Sequence, residues 1–140
     1  MNTESDNLAH DMLKTAGLYC TPGRLAILRV LTRASKPLRQ QQIAGRLSRR
    51  HFDKTTIYRT LTTLLKAGLV HKAFIQDRTF YFELAHHCTK TQCHPHFTCT
   101  HCGVTHCLLQ LSVPMPRSPH KGFVIHHQQV RLEGLCPTCA

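Results

Sequence analysis

Apolar side chains recur at helical spacing through the first part of the chain, where start and stop signals separate four predicted helices. Thr21 precedes Pro22 and Asp53 precedes the fourth apolar repeat, so both fit N-caps. Gly68 fits the end of the fourth helix. The predicted helices cover residues 8–16, 22–36, 38–47 and 54–67.

The fourth helix has the most regular pattern. Its apolar stripe consists of Ile57, Leu61, Leu64 and Leu65. Its polar face carries Thr55, Arg59, Thr62 and Lys66, flanked by Tyr58 and Thr63. Arg and Lys side chains can reach phosphates or guanine edges, while Thr and Tyr can contact thymine methyls or phosphates. The polar face therefore fits a DNA recognition helix, and a solvated face on a core helix is the alternative.

Strand periodicity follows the fourth helix. Apolar and polar side chains alternate over residues 79–84, and residues 69–75 precede them across a short polar break. The two segments predict a β-hairpin. Helices followed by a hairpin predict a winged helix-turn-helix domain over residues 1–84, with residues 69–84 as the wing.

The second part of the chain predicts short strands over residues 104–108 and 123–132. Pro114, Pro116 and Pro119 exclude a long helix between Gln110 and Lys121. The whole chain therefore has an α+β pattern.

Charge and cysteine content differ between the two parts. Residues 1–84 hold 14 Lys and Arg against 6 Asp and Glu, whereas residues 85–140 hold 7 of the 8 Cys and 9 of the 12 His. A basic part joined to a Cys/His part suggests polyanion binding in the first and metal binding in the second. The acidic start is not typical of a secretory signal, and no apolar run is long enough to span a membrane. We therefore predict a cytoplasmic protein with reduced thiols.

Two Cys-x-x-Cys pairs carry the strongest chemical signal. They are Cys99 with Cys102 and Cys136 with Cys139. Four thiolates in two such pairs supply the tetrahedral sulfur shell of a structural zinc ion. Two disulfides or four ordinary buried cysteines are the alternatives.

A second group of residues could form another metal site. His94 and His96 are two residues apart, which points both imidazoles to one face of a strand. Cys107 lies on the next predicted strand, and His71 and Glu83 lie on the two strands of the wing. Nitrogen, oxygen and sulfur ligands of this kind bind zinc. Cys88 and Cys93 are further candidates, and each imidazole taken alone could instead be a solvated side chain.

The sequence does not support a zinc enzyme. A nucleobase deaminase needs a Glu next to its metal-binding His as proton shuttle, and no acid lies beside His94. We therefore predict no catalysis and no small-molecule substrate. A zinc-ribbon interaction module without metal sensing is a remaining alternative.

Several motifs together resemble the ferric-uptake-regulator (Fur) family of bacterial metalloregulatory repressors, over about residues 15–140. They are Gly17-Leu18-x-x-Thr21-Pro22-x-Arg24, Thr56-Ile57-Tyr58-Arg59-Thr60-Leu61, Tyr81-Phe82-Glu83-Leu84, His94-x-His96-x-x-Cys99-x-x-Cys102-Gly103 and Gly134-x-Cys136-x-x-Cys139. The resemblance implies an N-terminal winged helix, a hinge over residues 85–93, and a small α/β dimerisation domain with a four-cysteine zinc site over residues 94–140. It also implies a homodimer that binds palindromic operator DNA when loaded with metal.

The resemblance also implies roles for individual residues. The four cysteines of the two pairs match a structural zinc site, and Glu83, His94 and His96 match a regulatory site to which His71 and Cys107 could contribute. Tyr58 and Arg59 match the operator-reading pair. We predict DNA contacts from Arg24, Lys54, Thr55, Thr56, Tyr58 and Arg59.

The identity of the regulatory metal follows from ligand softness. Cys107 stands where the family often has an acidic ligand, and a thiolate with imidazoles favours Zn²⁺ over Fe²⁺ or Mn²⁺. The chain therefore most resembles the zinc-uptake-regulator (Zur) branch, which implies a repressor of metal-uptake genes. An iron- or manganese-responsive regulator or a peroxide sensor of the same family is the alternative.

Overall fold

The computed structural model describes residues 3–47, 52–85, 94–117 and 120–140. It divides into two compact units, Met1–Ala85 and His86–Ala140. The N-terminal unit contains α1 (Thr3–Thr15), α2 (Pro22–Arg33), β1 (Leu38–Arg39), α3 (Gln40–Arg46), α4 (Lys54–Lys66), β2 (Val70–Gln76) and β3 (Thr79–Leu84). The C-terminal unit contains β4 (His96–Cys99), β5 (Thr105–Cys107) and β6 (Arg131–Gly134).

The predicted caps define the helices of the N-terminal unit. The side chain of Thr21 accepts a hydrogen bond from the backbone N–H of Arg24, so α2 begins at Pro22. The Asp53 carboxylate accepts the N–H of Thr56 in the same way at 2.6 Å, and this bond lowers the pKa of Asp53. The helix α1 begins earlier than predicted, with acidic side chains in its first turn.

The apolar stripe of α4 packs into the core of the N-terminal unit. Ile57, Leu61 and Leu64 are buried, and Leu65 packs partly exposed beside them. Buried apolar side chains of α1, α2 and α3 and of the three strands of this unit complete the core. The unit is therefore held together by an ordinary hydrophobic core.

The predicted wing forms as an antiparallel pair of β2 and β3. Asp77 and Arg78 make the turn between them, both with positive φ (50° and 61°). Ala73 interrupts the regular pairing, because the register shifts between Lys72 and Phe74. The sheet order is β1-β3-β2, so β1 covers the other edge of β3.

The prediction of a helix from residue 38 is wrong at its start. Leu38 and Arg39 form β1, where Leu38 pairs with Phe82 and is completely buried. The side-chain oxygen of Gln42 accepts the N–H of Arg39 at 3.1 Å and so caps the start of α3. Burial of Leu38 against the wing outweighs the local helical pattern.

The C-terminal unit is a three-stranded sheet in the order β5-β4-β6. The strands β4 and β5 are antiparallel, whereas β4 and β6 are parallel. The strand predicted over residues 104–108 is confirmed in shorter form. The strand predicted over residues 123–132 is wrong for most of its length, because β6 begins only at Arg131, after the polar run of residues 126–129 that breaks the alternation. The described residues of the proline-rich stretch contain no helix, as predicted.

Most of the predicted hinge, residues 86–93, lies outside the described residues. The division between the two units nevertheless falls between Ala85 and His86. No helix in the described part of the chain is both long enough and apolar enough to cross a membrane.

We predict that Leu61→Ala destabilises the N-terminal unit by about 2–5 kcal/mol, because Leu61 is 1% exposed and its loss leaves a cavity between α4 and its neighbours. All helices in the described part of the chain belong to this unit, so denaturation followed by far-UV circular dichroism reports on it. Lys66→Ala on the exposed end of α4 is the control and should change stability by about 0.5 kcal/mol or less. Equal stability of the two variants would contradict this packing.

Candidate metal centres and nucleic-acid interface

The four cysteines of the two Cys-x-x-Cys pairs converge on one point, and we call them the sulfur cluster. Because β4 and β6 run parallel with Cys99 beside Gly134, the turns that follow both strands leave the same edge of the sheet. The backbone N–H of Cys136 then donates to Cys99 Sγ at 3.5 Å. The four sulfur atoms all lie within 4.8 Å of one another.

The sulfur cluster has the geometry of a tetrahedral metal shell. Cys102 Sγ and Cys136 Sγ are 3.9 Å apart, close to the separation of about 3.8 Å that tetrahedral Zn–S bonds of about 2.3 Å produce. A disulfide needs about 2.05 Å, and the four cysteines are free thiols. The geometry therefore favours a metal over the disulfide alternative.

The sulfur cluster also has unequal thiol acidities. The backbone N–H of Cys102, followed by that of Cys136, lowers the pKa of the Cys99 thiol to about 5. A side-chain hydrogen bond with Cys136, followed by burial, raises the pKa of the Cys139 thiol to about 12. Backbone N–H donors thus stabilise the Cys99 thiolate, whereas hydrogen bonds to neighbouring sulfurs and burial oppose ionisation of Cys139. A divalent cation at the centre would favour the thiolate form of all four cysteines.

His94, His96 and Cys107 form a second cluster in the C-terminal unit. Cys107 lies directly opposite His96 in the β4–β5 pairing, and the rings of His94 and His96 have centroids 4.6 Å apart. Their ligand atoms all lie within 4.8 Å of one another. His94 precedes β4 instead of lying on it, so the prediction that both imidazoles project from a strand is wrong, although the two rings are adjacent.

The other two predicted regulatory ligands form a pair in the N-terminal unit. His71 on β2 lies opposite Glu83 on β3, and His71 Nε2 is 2.7 Å from Glu83 Oε1. Both side chains are largely buried, with 19% and 13% exposure. The structure therefore places the predicted regulatory ligands in two sets, one in each unit. Cys88 and Cys93 lie outside the described residues.

Five of the six predicted DNA-binding side chains lie together at the start of α4. Lys54, Thr55, Thr56, Tyr58 and Arg59 are all exposed, and Tyr58 retains 63% of its surface. The hydroxyls of Thr62 and Thr63 bond back to the carbonyls of Tyr58 and Arg59. The N-terminal half of the polar face is therefore exposed and cationic, and Lys66 is a further exposed cation at the C-terminal end.

The first turn of α2 packs close to α4. A Cβ at Gly23 would lie 3.5 Å from the Phe52 ring and 3.6 Å from Thr60 Oγ1. Arg24 is thereby placed near α4, and its guanidinium donates to the carbonyl of Tyr19 at 2.9 Å. The side chain of Tyr19 is 86% exposed in the loop before α2.

Comparison with known proteins gives a consistent result. The sequence model of the ferric uptake regulator family matches residues 15–132. The transcriptional regulator FurA of Mycobacterium tuberculosis is 28% identical over 135 residues, covering 93% of this chain and 88% of the relative.

Solved structures share the fold. A zinc uptake regulator complexed with zinc and DNA matches with a TM-score of 0.67 at 22% identity, covering 98% of this chain and 95% of that one. The ferric uptake regulator of Pseudomonas aeruginosa with manganese matches with a TM-score of 0.63 at 22% identity, covering 93% and 98%. Because the family model matches most of its length, the chain belongs to the ferric uptake regulator family of metal-responsive transcriptional regulators.

Proposed function

We propose that this family member is a zinc-responsive repressor that binds operator DNA as a homodimer and controls metal-uptake genes in the cytoplasm. The observation that carries the zinc assignment is Cys107, whose sulfur lies with the two imidazoles of His94 and His96 in the second cluster. Thiolate and imidazole ligands favour Zn²⁺, whereas Fe²⁺ and Mn²⁺ favour harder oxygen and nitrogen ligands.

The sulfur cluster is proposed to hold one structural Zn²⁺ per chain. Four thiolates leave no open coordination position, which is typical of structural and not catalytic zinc. Deprotonated Cys99 is available near neutral pH, because its pKa is lowered to about 5. A zinc-ribbon interaction module would have this ion alone, so the second cluster is what favours a sensor.

The second cluster is proposed to be the regulatory site, completed by Glu83 from the N-terminal unit. A bound ion would supply positive charge and a preferred coordination geometry. Ligands from both units together would complete its coordination. Glu83 is bonded to His71, which either joins the ligands or orients the carboxylate. Ligation from both units favours one arrangement of the DNA-binding units, by as much free energy as the ion prefers that arrangement.

Charge and exposed surface support DNA and a second copy of the chain as partners. Residues 1–84 carry a net charge of +8, and the exposed half of α4 presents Lys54 and Arg59. The C-terminal unit exposes large apolar side chains, including Phe123 at 63%, Val124 at 74% and Leu135 at 53%. Exposed apolar side chains of this size are typical of an interface between protein chains.

An iron- or manganese-responsive role is the alternative. The similarity of the sequence to FurA and of the fold to the manganese-bound regulator supports this alternative. Peroxide sensing within this family would need iron in a nitrogen and oxygen shell, which Cys107 opposes.

We predict that Cys136→Ser removes one tightly bound zinc per chain, because an alcohol is a much poorer zinc ligand than a thiolate. Native mass spectrometry counts the ions. Cys20→Ser is the matched control, since Cys20 lies in the N-terminal unit and is not part of the sulfur cluster, and it should keep the full zinc content. Equal zinc content in both variants would rule out the structural site.

We predict that zinc raises the DNA affinity of the protein by about 5- to 150-fold, and that Cys107→Ser and His96→Ala lose most of this response. Fluorescence anisotropy with a duplex selected by the zinc-loaded protein measures it. His106→Ala is the control, because His106 is exposed and alternates to the other face of β5. A full zinc response in Cys107→Ser would refute this regulatory site, and an equal response to Mn²⁺ or Fe²⁺ would favour the alternative metal.

We predict that Arg59→Ala weakens binding to the selected duplex by about 1–3 kcal/mol and relaxes base preference, because its guanidinium can pair with a base edge. Lys54→Ala should weaken binding to all sequences alike and lower the salt slope by about 0.9, as loss of one phosphate contact does. Repeating the selection from a random library with each variant tests both. Unchanged base preference in Arg59→Ala would show that Arg59 does not read bases.

A further inference from the structure

One face of the sheet in the C-terminal unit is polar although it is largely buried. His96 and Thr98 alternate onto this face from β4. Cys107 and Thr105 on β5 lie directly opposite them. The buried face of an antiparallel sheet is usually apolar, because a polar group that leaves water loses its hydrogen bonds. The polar side chains on this face therefore need partners, and two of them, His96 and Cys107, belong to the second cluster.

Thr98 and Thr105 form a buried hydrogen-bonded pair beside that cluster. Their Oγ1 atoms are 3.1 Å apart, and the two residues are only 5% and 8% exposed. Each hydroxyl has one hydrogen to donate, so the bond between them uses one of the two hydrogens. Within the described part of the chain, neither hydroxyl makes another hydrogen bond. One hydroxyl hydrogen is therefore left without an acceptor, which is unfavourable away from water.

The neighbours on the same face offer two possible acceptors for this hydrogen. On one side Glu133 lies opposite Thr98, but its Oε1 already accepts from Arg131 at 3.0 Å and its side chain is exposed. On the other side Cys107 follows Thr105 by two residues and lies on the same face. Side chains of neighbouring cross-strand pairs are close enough to interact.

The state of Cys107 determines whether it can serve as this acceptor. A thiol is a weak acceptor, whereas a thiolate carries the charge that makes hydrogen bonds short and strong. Metal binding requires the thiolate form of a cysteine ligand. Binding of a metal ion at the second cluster would therefore create the acceptor that the threonine pair lacks.

We propose that Thr105 is a positioning residue for the regulatory ion. When Cys107 binds the ion, Thr98 donates to Thr105 and Thr105 donates to the sulfur of Cys107. The proposal rests on the proposed function, namely that the second cluster holds the regulatory metal ion. The bond orients the sulfur and stabilises its charge, and hydrogen bonds of this kind to metal ligands raise metal affinity.

The test compares Thr105→Val, Thr105→Ser and Thr98→Val with the unmodified full chain, each purified with zinc in the sulfur cluster. Valine has nearly the shape of threonine but no hydroxyl, whereas serine keeps the hydroxyl and loses the methyl group. Valine is favoured in strands, so Thr105→Val should keep the fold, and thermal unfolding checks this. Thr105→Ser is thus the matched control for packing.

Each chain is titrated with Co²⁺, and Zn²⁺ is then added in competition. The thiolate-to-cobalt absorption band reports on the bond between the ion and the sulfur. Cys107→Ser identifies the band of the second cluster, because it should remove that band.

Thr105→Val should bind both ions at the second cluster about tenfold more weakly. Its cobalt band should move to longer wavelength, because a hydrogen bond lowers the energy of the sulfur lone pairs and its loss raises it. Thr98→Val should show smaller changes in the same direction, about threefold in affinity, since it removes only the group that orients Thr105. Thr105→Ser should keep the affinity and the band of the unmodified chain.

Unchanged affinity and band in Thr105→Val would overturn the proposal, and the proposed function would stand as long as the unmodified chain binds a second ion. Equal losses in Thr105→Ser and Thr105→Val would also overturn it, because they would show that packing is responsible. So would a weaker affinity without a shift of the band. If Thr105→Val loses its fold, Thr98→Val decides by the same two measurements. An unmodified chain that binds no second ion would overturn both proposals.

Discussion

The C-terminal unit depends on the convergence of four sulfur atoms, because little else is buried among its described residues. The buried apolar side chains of its core are Cys99 and Cys136, accompanied by Pro95 and three polar side chains. The strands contain only three or four residues each. Small units with so little apolar burial need a metal or another cross-link to fold. The sulfur cluster therefore takes the place that a hydrophobic core occupies in the N-terminal unit.

The fold could be predicted where neighbouring residues determine it. The cap at Asp53, the apolar stripe of α4 and the hairpin of the wing all depend on local spacing, and the structure has each of them. Leu38 was misassigned because its strand conformation depends on pairing with Phe82, far along the chain. The late start of β6 was missed for a related reason, since its parallel partner β4 determines which residues join the sheet.

The candidate sites also differ in whether they depend on local spacing or on contacts between distant residues. The cysteine spacing was sufficient to predict the sulfur cluster, because each Cys-x-x-Cys turn is a local structure that presents two ligands. For Cys107 and His96, the sequence predicts only two short strands that carry ligands on one face. It does not predict that the two residues lie opposite each other. A cleft of about 400 Å³ lined by Arg39, Lys54 and Thr79 could not be predicted, since it requires β1, the start of α4 and the start of β3 to meet. Residues so far apart carry no shared sequence signal.

The parallel pairing of β4 with β6 has a consequence for the lifetime of the protein in the cell. The long segment between β4 and β6 must form a closed loop before these strands make any contact. The entropic cost of closing this loop is offset chiefly by the interactions at the two cysteine turns. A chain without the metal ion proposed for the sulfur cluster would therefore keep the hydrophobic core of its N-terminal unit but have an open C-terminal segment. Proteases cleave open segments in proportion to their population. On the proposed function, prolonged zinc starvation should thus shorten the half-life of the regulator as well as release it from DNA.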